Sequence, residues 1–89
     1  MHIHSEKFTI YEVEEIYKEL SSALKTGEAI DVNLDGVVQI DMPAIQLLVS
    51  TLKTCESKSI PFALSNISDE VKQTLKLTGF NTLLGVDDD

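Results

Sequence analysis

Ile30-Asp31-Val32-Asn33-Leu34-Asp35-Gly36-Val37-Val38-Gln39-Ile40-Asp41-Met42-Pro43-Ala44-Ile45-Gln46-Leu47-Leu48 changes its apolar period part-way along, and the fold turns on that change. From Ala29 to Leu34 the pattern alternates. Ile30, Val32 and Leu34 share one face, while Asp31 and Asn33 point away, as in a strand with one buried face. Asp35 to Ile40 reads as a short connection. From Asp41 the spacing becomes helical. The Asp41 carboxylate can accept from unpaired N–H groups at a helix start. Pro43 fits the first turn, where its missing N–H has no helical partner. The pattern predicts a helix over Pro43–Ser57 with Ile45, Leu48, Val49, Leu52 and Cys55 as its core stripe. At ~100° per residue, Leu47 falls roughly opposite Ile45 and off that stripe.

Upstream, Val13, Ile16, Tyr17, Leu20 and Leu24 form one apolar face, and Glu12, Glu14, Glu15, Lys18, Glu19, Ser22 and Lys25 take the other. This predicts a helix over Ile10–Thr26. Thr9 and Glu12 have the spacing of a capping box, and Phe8 and Val13 that of a hydrophobic staple. Gly27 follows the last turn, where a left-handed residue ends a helix at low cost. Downstream, Ile60–Leu64 suits a central strand with Pro61 at its start. Ser68 is the expected N-cap of a third helix over Asp69–Thr78, with Asp69 and Glu70 in its positive first turn. Val71, Leu75 and Thr78 line one side. Gly79 ends the helix, and Phe80 folds back on Leu75 as in a Schellman motif. Leu83–Val86 fits either a last short strand or an apolar clasp. Strands joined by helices run parallel. The expected fold is α/β: a small, mostly parallel or mixed sheet of about four strands against three or so helices. One domain spans 1–89, with a reduced N-terminal segment (1–6) and an acidic tail (85–89).

The whole chain supports that scale. Its 89 residues are 43% apolar and 25% charged, enough apolar content for a packed core. A domain this short buries roughly 60–65% of its unfolded surface, so the core is thin. No run approaches the ~20 apolar residues of a membrane-spanning helix. Fifteen acids against seven lysines and no arginine give a net charge of −8. Nucleic-acid binding needs clustered Lys or Arg and is excluded on charge. Asp87, Asp88 and Asp89 read as a solvated end. Met1–Ile10 lacks the apolar core of a signal peptide, so the expected compartment is the cytoplasm.

Little in the sequence suggests chemistry. His2 and His4 are the two histidines, at the spacing of an extended end, and two ligands alone make a weak metal site. Cys55 is the single cysteine, which excludes an internal disulfide, and it reads as a packed thiol. The four glycines are scattered, so no phosphate-cradling loop is present. Glu14 and Glu15 belong to a solvated helix face. An acyl carrier would need a serine at a helix start, and a histidine phosphotransfer domain would need a helical histidine. No catalytic residue, cofactor or metal is expected.

Taken with its flanking elements, the 30–48 stretch resembles the signature of STAS domains, the family of bacterial anti-sigma factor antagonists. Members read as an apolar strand ending in Leu-Asp, a turn, an apolar residue and Asp, then Ser or Thr, a small residue, Gly and an apolar helix. Lys7-Phe8-Thr9-Ile10-Tyr11-Glu12-Val13 resembles the family's entry into its first helix. Ile60–Leu64, Ser68–Leu77 and Gly79-Phe80 resemble its later strand, third helix and exit. The likeness covers roughly residues 7–84.

The resemblance implies a non-enzymatic partner switch, in which a protein binds around the start of the second helix and phosphorylation of the Ser or Thr breaks the contact. A dianion in a packed interface repels acids and is costly to desolvate, which accounts for such a switch. Here Asp41 matches the family Asp, but Met42 stands at the Ser/Thr position, and Pro43 and Ala44 replace the small residue and Gly. Met has no hydroxyl to phosphorylate, so the phosphosite-equivalent is lost. The expected partner-binding residues are Asp41, Met42, Pro43, Ala44 and Leu47. The implied partner is an anti-sigma factor or kinase-like protein, a transporter subunit or a chemotaxis-type signalling protein, with no nucleic acid and no membrane insertion. Two alternatives fit the same residues: a structural subunit of a transport or chemotaxis-associated complex, and a small-ligand or lipid-sensing domain.

Overall fold

Capping side chains punctuate the chain wherever a strand gives way to a helix, and they set the element order. The order is β1 (Lys7–Phe8), α1 (Ile10–Thr26), β2 (Ile30–Asn33), β3 (Gln39–Ile40), α2 (Met42–Lys58), β4 (Phe62–Ser65) and α3 (Asp69–Thr78). The structure, a computed structural model, describes residues 1–86. Thr9 starts α1 with the full capping box, Asp41 starts α2, and Ser68 starts α3 by accepting from the Val71 amide. The Ser68 hydroxyl also donates to the Val37 carbonyl at 2.8 Å, which ties α3 to the turn before β3.

The protein is α/β, and its described residues form four strands in two small parallel ladders. β2 pairs with β4, Ile30 opposite Phe62 through Asn33 opposite Ser65. β1 pairs with β3, Lys7 opposite Gln39 and Phe8 opposite Ile40. The 35–40 segment, expected to be a plain connection, therefore contains a strand. The reduced first strand expected near Met1–His4 survives as one parallel bridge, His2 opposite Asn33, with Ile3 N–H on the Asn33 carbonyl and Asn33 N–H on the Met1 carbonyl. A bridge that short has no period to read in sequence.

The core follows from these pairings. Phe8, Val32, Leu34, Val37, Ala44, Ile45, Leu48, Cys55, Val71 and Leu75 are fully buried. Each large aliphatic or aromatic side chain among them contributes about 1.5–3 kcal/mol of transfer free energy. Leu84 and Val86 are buried too, and the Val86 N–H bonds the Asn81 carbonyl at 2.8 Å, so Leu83–Val86 is a clasp. Asp87–Asp89, expected to be a solvated end, lie outside the described residues. Two stripe assignments need correction. Tyr17 is 57% exposed, because its position is at the edge of the apolar face of α1 and its ring and hydroxyl tolerate water. Thr78 is exposed in the last turn of α3, with its hydroxyl bonded back to Thr74 and Leu75 carbonyls.

Candidate functional site: the paired starts of two helices

β1 and β3 lie side by side and run the same way, so the helices that follow them begin side by side. Thr9 terminates one strand and Asp41 the other. The Asp41 carboxylate then serves both helices. Oδ1 accepts from the Ala44 N–H in the first turn of α2 at 3.3 Å, and Oδ2 accepts from the Ile10 N–H at the start of α1 at 3.0 Å. Helix starts carry unpaired N–H groups and the positive end of the helix dipole, so one anion between two of them is stabilised by both.

A second carboxylate works next to it. Glu12 Oε1 accepts from the Thr9 N–H at 2.8 Å and the Thr9 hydroxyl at 2.7 Å. The Thr9 hydroxyl, then the Thr9 amide, hold the Glu12 carboxyl below its ordinary value, and Lys7 adds to this, while partial desolvation and Asp41 oppose it. Thr9 itself is buried, so the box is a fixed part of the α1 start.

The five residues expected to bind a partner are placed differently. Met42 is 38% exposed in the first turn of α2. Asp41 and Pro43 are half-buried, and Ala44 is fully buried beneath them. Leu47 is half-buried and packs against the core, although its angular position on the helix put it off the stripe. Asp41, Met42 and Pro43 thus sit together at the surface, Ala44 is their floor, and Leu47 belongs partly to the interior. Sequence reasoning missed that the start of α1 meets the start of α2 through Asp41. Ile10 is 60% exposed and Tyr11 90% exposed in the first turn of α1, whose Ile10 N–H bonds Asp41 Oδ2. Their signal was the capping box, which fixes Ile10 and Tyr11 in a first turn outside the core stripe.

The His2/His4 end of the chain forms a separate feature that shares Glu12 with the α1 start. The His2 and His4 rings lie tilted to one another with centroids 4.3 Å apart, and with Glu12, Glu15 and Glu19 they line a cleft against α1. Among the described residues, no group of three or more His, Cys, Asp or Glu side chains is arranged to hold a metal ion. Burial pushes the Cys55 thiol up, away from the reactive thiolate. Among the described residues, no helix is long and apolar enough to cross a membrane.

A small α/β domain whose strand-turn-Asp segment opens a helix is the arrangement expected of the resemblance noted above, with its pairings parallel where the resemblance implied a mixed sheet. The model of the STAS domain family matches residues 2–89. The chain belongs to the STAS domain family. No curated protein matches it. Within this STAS domain, the Asp of the signature is the residue that joins the starts of α1 and α2.

Proposed function

We propose that this STAS domain is a non-enzymatic interaction module that docks a protein partner on the start of α2, without phosphorylation at that point. The observation that carries the reading is the placement of Met42. It is an apolar, exposed side chain on a helix start held rigid by the Asp41 bonds, at the position where the family pattern has a hydroxyl. Met is unbranched and polarisable and adapts to a partner surface. Met42 is 38% exposed, so burying the rest contributes about 0.5–1 kcal/mol before association costs. Asp41, Pro43 and Ala44 set the shape around it, and Leu47 supports the helix from the core side. The partner classes that fit are an anti-sigma or kinase-like protein, a transporter subunit and a chemotaxis-type signalling protein.

The test pairs mass analysis with capture. Incubation with ATP and the kinases of the source cell leaves residue 42 unmodified, and tagged wild-type protein enriches a partner that Met42→Lys does not. A phosphate on Ser50, Thr51 or Thr54 that abolishes capture would mean the switch has moved along α2. Equal capture by wild type and Met42→Lys would place the interface elsewhere.

A further inference from the structure

β2 is paired along both of its edges. On one side the Met1 amino group bonds the Asp31 carbonyl, the Asn33 N–H bonds the Met1 carbonyl and the Ile3 N–H bonds the Asn33 carbonyl. On the other side lies β4, with the Ile30 N–H on the Pro61 carbonyl at 2.8 Å and the Leu34 N–H on the Ser65 carbonyl at 2.9 Å. Backbone groups alternate in direction along a strand. In this register Ala63 also turns its backbone groups to β2, and Phe62 and Leu64 turn their N–H and C=O groups outward. Among the described residues nothing bonds those outward groups. Edge strands are commonly guarded by charge, an internal Pro or a bulge. Phe62–Ser65 has none of these: its register with β2 is unbroken, and Pro61 precedes it with its ring nitrogen on the β2 side.

We propose that the β4 edge pairs with the β4 edge of a second copy of this chain, antiparallel about a two-fold axis at Ala63. The register is self-complementary. Phe62 of one copy stands opposite Leu64 of the other, so both such pairs exchange N–H···O bonds through the groups that the monomer leaves open. Phe62 and Leu64 pack partly against the core, so their side chains form aromatic–aliphatic cross-strand pairs on the core face. Ala63 is exposed on the opposite face and is small enough to meet its own mate as a non-hydrogen-bonded pair. Charge permits this meeting. Two copies with a net charge of −8 repel overall, but residues 59–68, which contain β4, carry no charged side chain. Across the ladder, Asp31 stands opposite Ala63. In the dimer the two Asp31 residues are three strand spacings apart, roughly 14 Å, beyond the Debye length of about 8 Å at physiological ionic strength. A strand of 4 residues gives a small interface, so the dimer is weak and forms as concentration rises.

The test measures the full chain by sedimentation and by amide exchange from about 10 μM to about 1 mM, the range of a weak dimer. Wild type is expected to approach twice the monomer mass at the upper end. Over the same range the Phe62 and Leu64 amides, open in the monomer, slow by about tenfold or more. The Ala63 and Ser65 amides, already bonded to β2, change little by comparison. Ala63→Lys sets two cations directly opposite each other at the axis, while within each copy the new lysine lies beside Asp31. It should weaken dimerisation by about tenfold or more at an unchanged monomer melting temperature. Ala63→Thr, neutral and favourable in a strand, should keep the dimer. A chain that stays monomeric throughout overturns the proposal. So does a dimer that leaves the Phe62 and Leu64 amides unprotected, protection of those amides already present in the monomer, or dimerisation of Ala63→Lys at the wild-type concentration.

Discussion

Asp41 shows how one side chain can set both a fold and a surface. Its two oxygens close two helix starts, and the residues on either side of it in space, Ile10 and Met42, are exposed. Losing one N-cap costs about 0.5–2 kcal/mol, and Asp41 serves two helices. Asp41→Ala is therefore expected to destabilise the domain by about 2 kcal/mol in urea denaturation, with faster amide exchange at both Ile10 and Ala44. Faster exchange at Ala44 alone would mean that the bond to α1 contributes nothing. Ser59 offers the opposite case. It sits in the left-handed region (φ 58°) at the end of α2, while its N–H bonds the Glu56 carbonyl and the Ile60 N–H bonds the Cys55 carbonyl. Gly takes that conformation without a Cβ clash. Ser59→Gly should raise stability by about 0.5–1 kcal/mol, and an unchanged denaturation midpoint would argue against a strained helix end.

At the scale of elements, the helices were legible because their signals are local. α1 and α3 run from the residue after a capping Thr or Ser to the residue before a left-handed Gly, as their sequences state. α2 extends one residue beyond each end of the helix expected at Pro43–Ser57, because Met42 is already helical behind the Asp41 cap. β3 was hidden because two residues cannot display an alternation. The α1 start also carries a pH signature. Glu12 is held below its ordinary value near 4.5 in the folded protein. A carboxyl lowered on folding contributes stability that is present above its unfolded value and is lost as pH falls through the folded one. Glu12→Gln should therefore be less stable than wild type near neutrality, with the gap closing below about pH 4.5. A gap that stays constant down to acid pH would show that Glu12 acts through packing and not through its charge.

For the whole molecule, period and composition were enough to expect an α/β domain with mostly parallel or mixed strands, but not the division into two ladders. That division depends on which strands meet, and β1 with β3 is a pairing across most of the first half of the chain. The candidate site divided in the same way. Asp41, Met42, Pro43 and Ala44 are contiguous and could be found by reading along the chain. Ile10 meets Asp41 only through the β1–β3 pairing and the bond from its N–H, neither of which leaves a local trace. Leu47 was placed by angle alone, and a thin two-layer domain draws such a flank residue into partial burial. The measurement that bears most directly on the docking surface compares Met42→Lys with Leu47→Lys, each assayed for melting temperature and for capture of the partner enriched by wild type. Met42→Lys is expected to lose capture at an unchanged melting temperature, whereas Leu47→Lys loses melting temperature first. Capture by Met42→Lys at the wild-type level, or a loss that only follows a fall in its melting temperature, would contradict a docking surface at the start of α2.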